Sequence, residues 1–176
     1  MELEENMLLI YGGDKELFVN GYTDASFMTD IDDYKSQSGY VSTLNGGAVV
    51  SKSFKQNTVA NSTIEAEYIV ASEDLKELVW IMKFLEEVGV VPSAVNPMAL
   101  YCDNSGVVPQ VKKPRSHMKT GHIERKYHII VHHVKKGLVK VLKVHTDLNV
   151  SDPRMKALPR AKHEKHQIAI GVGETM

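Results

Sequence analysis

The sequence predicts an α/β domain in which strand and helix patterns alternate along the chain. Three observations lead there. Asn45 and Gly46 join two segments rich in β-branched and aromatic residues, a strong signal for a tight hairpin. Residues 62 to 88 carry the apolar spacing of one long helix behind a capping sequence. Beyond it, the runs PMALYCDN and LVKVLKVHT read as two further strands, with another helical segment between them.

Taken in order, LFVNGYTDASF is the first strand of the sheet, rich in residues that suit a pleated surface. TDIDDYKSQ is a polar connection, after which GYVSTL and AVVSKSF form the hairpin around Asn45 and Gly46. Three antiparallel strands therefore come first.

In the long helix, Ser62 followed by Glu65 forms a capping box, the serine hydroxyl serving a free amide and Glu65 reaching back to the cap. A turn of 100° per residue puts Ile64, Ala71, Leu78, Met82 and Leu85 on one face, with Glu65, Lys76, Lys83 and Glu87 opposite. Glu67 falls in the middle of the apolar face. A carboxylate there is costly unless paired or bound to a cation, so Glu67, not Glu65, is the candidate for chemistry.

In PMALYCDN an apolar run leads to Asp103, at the carboxyl end of a strand where α/β sheets bind ligands. SGVVPQVKK reads as a short helix that Pro109 would interrupt. HIERKYHIIVHHVKKG is a second long helix closing at Gly137. LVKVLKVHT alternates as a strand, and Asp152 is expected at the start of a last helix running toward ALPRAKHEKH.

Four acidic residues stand out in different settings: Asp24 in GYTDAS, Glu67 in STIEAEY, Asp103 in ALYCDNSG and Asp152 in NVSDPRMKALP. The order of elements would bring all four to one end of a sheet, where carboxylates repel one another unless a cation lies between them. Hard oxygen ligands suit Mg²⁺ or Mn²⁺, and two such ions can clamp a phosphoryl displacement.

The 176 residues fit one domain with a proper core, and 43% apolar with 24% charged residues is an ordinary soluble composition. There is no apolar run of membrane-spanning length and no signal-peptide pattern, so an intracellular location is expected. The single cysteine, Cys102, excludes an internal disulfide framework and reads as a small buried hydrophobe. A net charge of −1 hides a strong asymmetry: residues 111 to 145 hold ten basic residues and one acidic, whereas residues 1 to 110 hold six basic and seventeen acidic. Such a basic segment beside a carboxylate site suits a polyphosphate backbone as substrate, the alternative being a solvated charged face. His128 and His132 share a helix face, but a zinc site needs a third or fourth ligand and no HExxH pattern is present. No GxSxG nucleophile elbow and no phosphate-binding glycine loop occur.

The ordered set YTDAS, KSQSGY, FKQNTVANSTIEAEY, LYCDNSG, HIERKYH and DPRMKALP resembles the ribonuclease H domain of copia-type plant retrotransposon Pol polyproteins, over roughly residues 8 to 170. The resemblance implies a ribonuclease H-like fold: a five-stranded mixed sheet flanked by helices, its two later strands parallel to the first. Residues 17–166 would form that domain, residues 1–16 a remnant of the junction with reverse transcriptase, and residues 167–176 a tail. It implies hydrolysis of the RNA strand of an RNA/DNA hybrid with two Mg²⁺ or Mn²⁺ ions held by Asp24, Glu67, Asp103 and Asp152. Asp24 and Asp103 would bridge the ions, Glu67 would hold the one on the leaving-group side, and Asp152 would position the one that activates water. Asn104, Lys112, Lys113, Arg115 and Lys119 are the expected nucleic-acid contacts. Expected settings are the cytoplasm or a retrotransposon particle, as a monomer, with reverse transcriptase fused or separate and no membrane partner.

The chain departs from that pattern in places. Val50, Ser51 and Lys52 replace a usual VSW, Gly121 stands where TKHI is usual, and Arg154 and Met155 replace leucine and threonine. Asp74 falls on the buried helix face where alanine is usual, and an unpaired carboxylate there would cost several kcal/mol. The competing reading is therefore a catalytically inactive retrotransposon relic that at most binds nucleic acid.

Overall fold

The computed structural model describes residues 7–12, 16–89, 97–112 and 121–174. Its centre is a five-stranded sheet in the order β4, β3, β2, β5, β6, formed by β2 (Val19–Ser26), β3 (Gln37–Leu44), β4 (Gly47–Lys55), β5 (Met98–Cys102) and β6 (Val139–Lys143). β2, β3 and β4 pair antiparallel, while β5 runs parallel to both β2 and β6. The β3–β4 turn is made by Asn45 at φ 46° and Gly46 at φ 82°, the doubly left-handed pair that matches the twist of a two-residue hairpin.

Helix α1 (Thr63–Val88) is stopped at each end by its sequence. Ser62 Oγ accepts from the Glu65 amide, and Gly89 closes the helix at φ 73°. Glu65 reaches one residue beyond the expected cap, accepting from the Asn61 amide at 2.8 Å and from the Asn61 side chain at 3.1 Å. Ala71, Leu75, Leu78, Ile81 and Leu85 pack on Leu100, Val139 and Val141 of the sheet and on Tyr127, Ile130 and Val131 of α3 (Gly121–Lys135). Between sheet and α3, residues 66 to 72 of α1 are buried all round, which a single-face pattern did not anticipate.

Gly21 of β2 lies against Asp74 and Leu78 of α1, and a Cβ there would overlap Asp74 Oδ2. Asp74 is fully buried. It is not unpaired as expected, since Ser42 Oγ donates to Asp74 Oδ1 at 2.6 Å, but Oδ2 has no partner.

Two expectations need correction. Pro109 does not interrupt α2 (Val107–Lys112), because it sits in the first turn, where a missing N–H breaks no helical bond. Asp152 is not on the last helix: it opens a short 3₁₀ turn (Asp152–Arg154), and α4 (Arg160–Ala169) starts only after Pro159. Proline lacks an amide for the preceding turn and biases Leu158 away from helical backbone.

On the sheet face away from α1, Val41, Val150 and Ile170 form a smaller core with Tyr22, Ala48 and Val172. Beyond the predicted elements, β1 (Met7–Leu9) pairs antiparallel with β7 (Val172–Glu174). Among the described residues no helix is long and apolar enough to cross a membrane.

Candidate active site

Parallel pairing of β2 with β5 aligns Thr23 with Cys102, so Asp24 and Asp103, each one residue further on, emerge side by side. Glu67, in the second turn of α1, approaches from the other side, its Oε1 accepting from the Ala25 amide at 3.1 Å. Carboxylate oxygens of Asp24, Glu67 and Asp103 all lie within 4.8 Å of one another. Glu67 is buried, and its Oε2 has no hydrogen-bond partner. A buried orphan oxygen facing two more carboxylates is unfavourable in a neutral core. The same arrangement of hard oxygen donors fits Mg²⁺ or Mn²⁺.

Asp152 is not one of these three; it approaches Asp24 from the opposite sheet face, and Gly39 makes the approach possible. Gly39 pairs with Asp24 across β2 and β3, and a Cβ on it would stand 2.7 Å from Arg154 Cβ and 3.0 Å from Met155 Sδ. Without that Cβ the 3₁₀ turn settles on the strand, near enough for the charge of Asp152 to raise the Asp24 carboxyl. Asn149 fixes the turn: its Nδ2 donates to Thr23 O at 2.8 Å, and its Oδ1 accepts from Ser151 Oγ at 2.8 Å. Thr146 Oγ1 donates to Asp103 Oδ2 at 3.1 Å, and the Lys156 ammonium lies 2.7 Å from Asp152 Oδ1.

Electrostatics follow from this crowding. Burial, then the charges of Asp103 and Asp152, raise the Asp24 carboxyl to about 7, with Lys156 pulling the other way. Burial, then Asp24 and Asp103, hold Glu67 well above the ordinary carboxylate range, against a smaller opposing effect of the Ala25 amide. Cys102 is pushed up to about 12 by burial and by Glu67 and Asp103, which makes its thiol a poor nucleophile.

The structure thus brings Asp24, Glu67 and Asp103 together, with Asp152 beside Asp24. Asn104 adjoins them, but its Oδ1 is engaged with the Gly106 amide at 2.8 Å, capping the turn before α2. Lys112 closes α2; its side chain, and Lys113, Arg115 and Lys119 entirely, lie outside the described residues. Among the described residues no histidine joins the carboxylate group: His128 is exposed, 3.6 Å from Glu124, and His145 accepts from the Asp147 amide. Gly39, Thr146, Asn149 and Lys156 were not singled out from sequence. Only Lys156 left a visible trace, the i, i+4 spacing from Asp152.

Known proteins add a second line of observation. The retrovirus-related Pol polyprotein from transposon TNT 1-94 of Nicotiana tabacum is 39% identical over 164 residues, covering 93% of this chain. That from transposon RE2 of Arabidopsis thaliana is 35% identical over 156 residues, covering 89%. The chain is a homologue of plant-transposon Pol polyproteins. It spans only 12% and 11% of the length of these two relatives. No family model matches it. Among solved structures, ribonuclease H1 from Halobacterium salinarum superposes with a TM-score of 0.52 at 16% identity, covering 78% of this chain and 92% of that one. LC11 ribonuclease H1 in complex with an RNA/DNA hybrid gives 0.54 at 15% identity, over 77% and 91%. The protease-reverse transcriptase of prototype foamy virus gives 0.51 at 14%, covering 88% of this chain and 20% of that one. The fold of this Pol homologue is that of ribonuclease H.

Proposed function

We propose that this domain hydrolyses the RNA strand of an RNA/DNA hybrid in a divalent-metal-dependent reaction, as the nuclease part of a retrotransposon Pol polyprotein. The observation that carries this reading is the convergence of Asp24, Glu67 and Asp103 within 4.8 Å at the carboxyl end of the central strands, with Asp152 beside Asp24. Homology to Pol polyproteins and likeness to ribonuclease H1 point to the same chemistry.

Asp24, Glu67, Asp103 and Asp152 would hold two Mg²⁺ or Mn²⁺ ions. Such ions, when bound, supply charge neutralisation at the scissile phosphate and a water of lowered pKa. The chain's own contribution is orientation. The Ala25 amide turns Glu67, the Thr146 hydroxyl turns Asp103, and Asn149 sets the turn that delivers Asp152. Burial of Glu67 keeps its carboxylate poorly hydrated, so a bound cation meets little competition from water. Lys112, Lys113, Arg115 and Lys119 follow Asp103 closely in the chain and are proposed to meet substrate phosphates with Asn104.

The test is cleavage of an end-labelled RNA/DNA hybrid with Mg²⁺ or Mn²⁺, set against the same RNA single-stranded and in duplex RNA. Metal-dependent cuts in the hybrid alone are expected. A chain that folds and binds hybrid but cuts nothing at any concentration of either metal would instead be a binding relic. The buried carboxyl of Asp74 is the observation favouring that second reading, since it loads the core of the domain with a destabilising group.

A further inference from the structure

Among the described residues, the Lys156 ammonium stands at the edge of the carboxylate site. Lys156 lies four residues beyond Asp152, with its ammonium 2.7 Å from Asp152 Oδ1, and Asp24 and Asp103 attract the same charge. The two partners differ in freedom: the Asp152 side chain is 8% exposed, that of Lys156 53%. The carboxylate is therefore fixed by the turn beneath it, whereas the ammonium reaches it on a half-exposed, flexible stem that can swing into solvent.

We propose that Lys156 is a positioning residue: a tethered counter-ion that neutralises the Asp152 carboxylate beside Asp24 and competes with a divalent cation for it. This rests on the metal-dependent reading above. A single positive charge satisfies Asp152 only in part, and a doubly charged ion binding through the same oxygen repels the ammonium at a few ångströms. Lys156 consequently acts in opposite directions on two properties. It relieves repulsion among the carboxylates of the metal-free protein, and it opposes the cation that would replace it. A lysine that merely supported the fold would affect the protein equally with and without metal.

Removing the charge separates these possibilities. In Lys156→Met the metal-free melting temperature should fall. Mg²⁺ and Mn²⁺, titrated by thermal shift and by calorimetry, should bind about tenfold more tightly than to wild type, from Coulomb repulsion relieved at the site edge. Lys156→Arg, which restores the charge, should return the affinity toward the wild-type value. Lys156→Gln, which keeps a donor for Asp152 without the charge, gives the same test should the methionine variant fail to fold. Wild type that binds metal with an affinity unchanged or weakened by loss of the charge overturns the role of Lys156 and leaves the metal site standing. Wild type with no metal-dependent stabilisation removes both.

Discussion

Asp74→Ala should stabilise this protein, and do so more as pH rises. The carboxyl is fully buried, with one hydrogen bond from Ser42 at 2.6 Å and one oxygen without a partner. Losing the bond costs about 0.5–1.5 kcal/mol, and relieving the orphan oxygen returns about 1–3 kcal/mol. A void of carboxyl size takes back about 1 kcal/mol, so with Asp74 protonated these contributions nearly cancel. The pH dependence decides the outcome. Burial raises the folded carboxyl well above its ordinary value of 3.8, against a weaker opposing effect of the Ser42 hydroxyl. Between the unfolded and the folded values the native state holds a proton that the unfolded chain has released. Stability then falls with rising pH by about 1.4 kcal/mol per unit. From pH 5 to pH 7 the variant should gain on wild type, by at most a few kcal/mol. At roughly 2–4 °C per kcal/mol for a chain of this size, the gain is several degrees. Urea melts of both proteins at pH 5, 6 and 7 measure it. Parallel pH profiles, with the variant less stable throughout, would refute the assignment of Asp74 as a buried, destabilising acid.

Four further outcomes follow. Asp103→Asn should abolish hybrid hydrolysis while leaving hybrid binding, measured by fluorescence anisotropy, largely intact, because phosphate contacts elsewhere supply most of the affinity; its metal-free melting temperature should equal or exceed that of wild type, since like charge is removed. Without metal, stability should fall as pH rises from about 3.8 toward about 7, the span over which folded Asp24 keeps a proton that the unfolded chain loses, and saturating Mg²⁺ should recover it; a flat profile in chelator would contradict the crowding of carboxylates. Gly39→Ala should displace the turn carrying Asp152, lowering both melting temperature and Mn²⁺ affinity, because its Cβ would meet Arg154 at 2.7 Å. Replacing Lys112 and Lys113 by alanine should flatten the salt dependence of hybrid binding by about 0.7–0.9 log unit per log unit of salt for each phosphate left without its lysine; an unchanged slope would reduce that segment to a solvated face.

Local features were legible in the sequence wherever one residue type imposes one conformation. Asn45 and Gly46 specify their hairpin, Ser62 starts α1, and the phase of that helix separates Glu67 from Glu65 without reference to anything distant. Packing between remote segments was not legible. Gly39 reads in the sequence as an ordinary strand glycine, and only the arrival of residues 154 and 155 shows what its missing Cβ admits. The helix expected at Asp152 begins only at Arg160, because Pro159 within ALPRAKHEKH separates it from the turn before. Asp74 was correctly seen as buried, but its Ser42 partner lies 32 residues away on another element. Three-residue strands such as β1 and β7 carry too few side chains for any periodicity to show.

The pairing of β1 with β7 has a mechanical consequence. Met7 stands opposite Glu174, Leu8 opposite Gly173 and Leu9 opposite Val172, and the Ile10 amide continues the ladder to Gly171 O. Met7, where the clasp begins, and Glu174, where it ends, thus stand opposite each other at its outer end. Tension applied through flanking polypeptide would pull the two strands apart one pair at a time, like a zipper, rather than shearing several bonds at once. The clasp would open at low force, while the five-stranded sheet and its carboxylates stayed unloaded until it had parted.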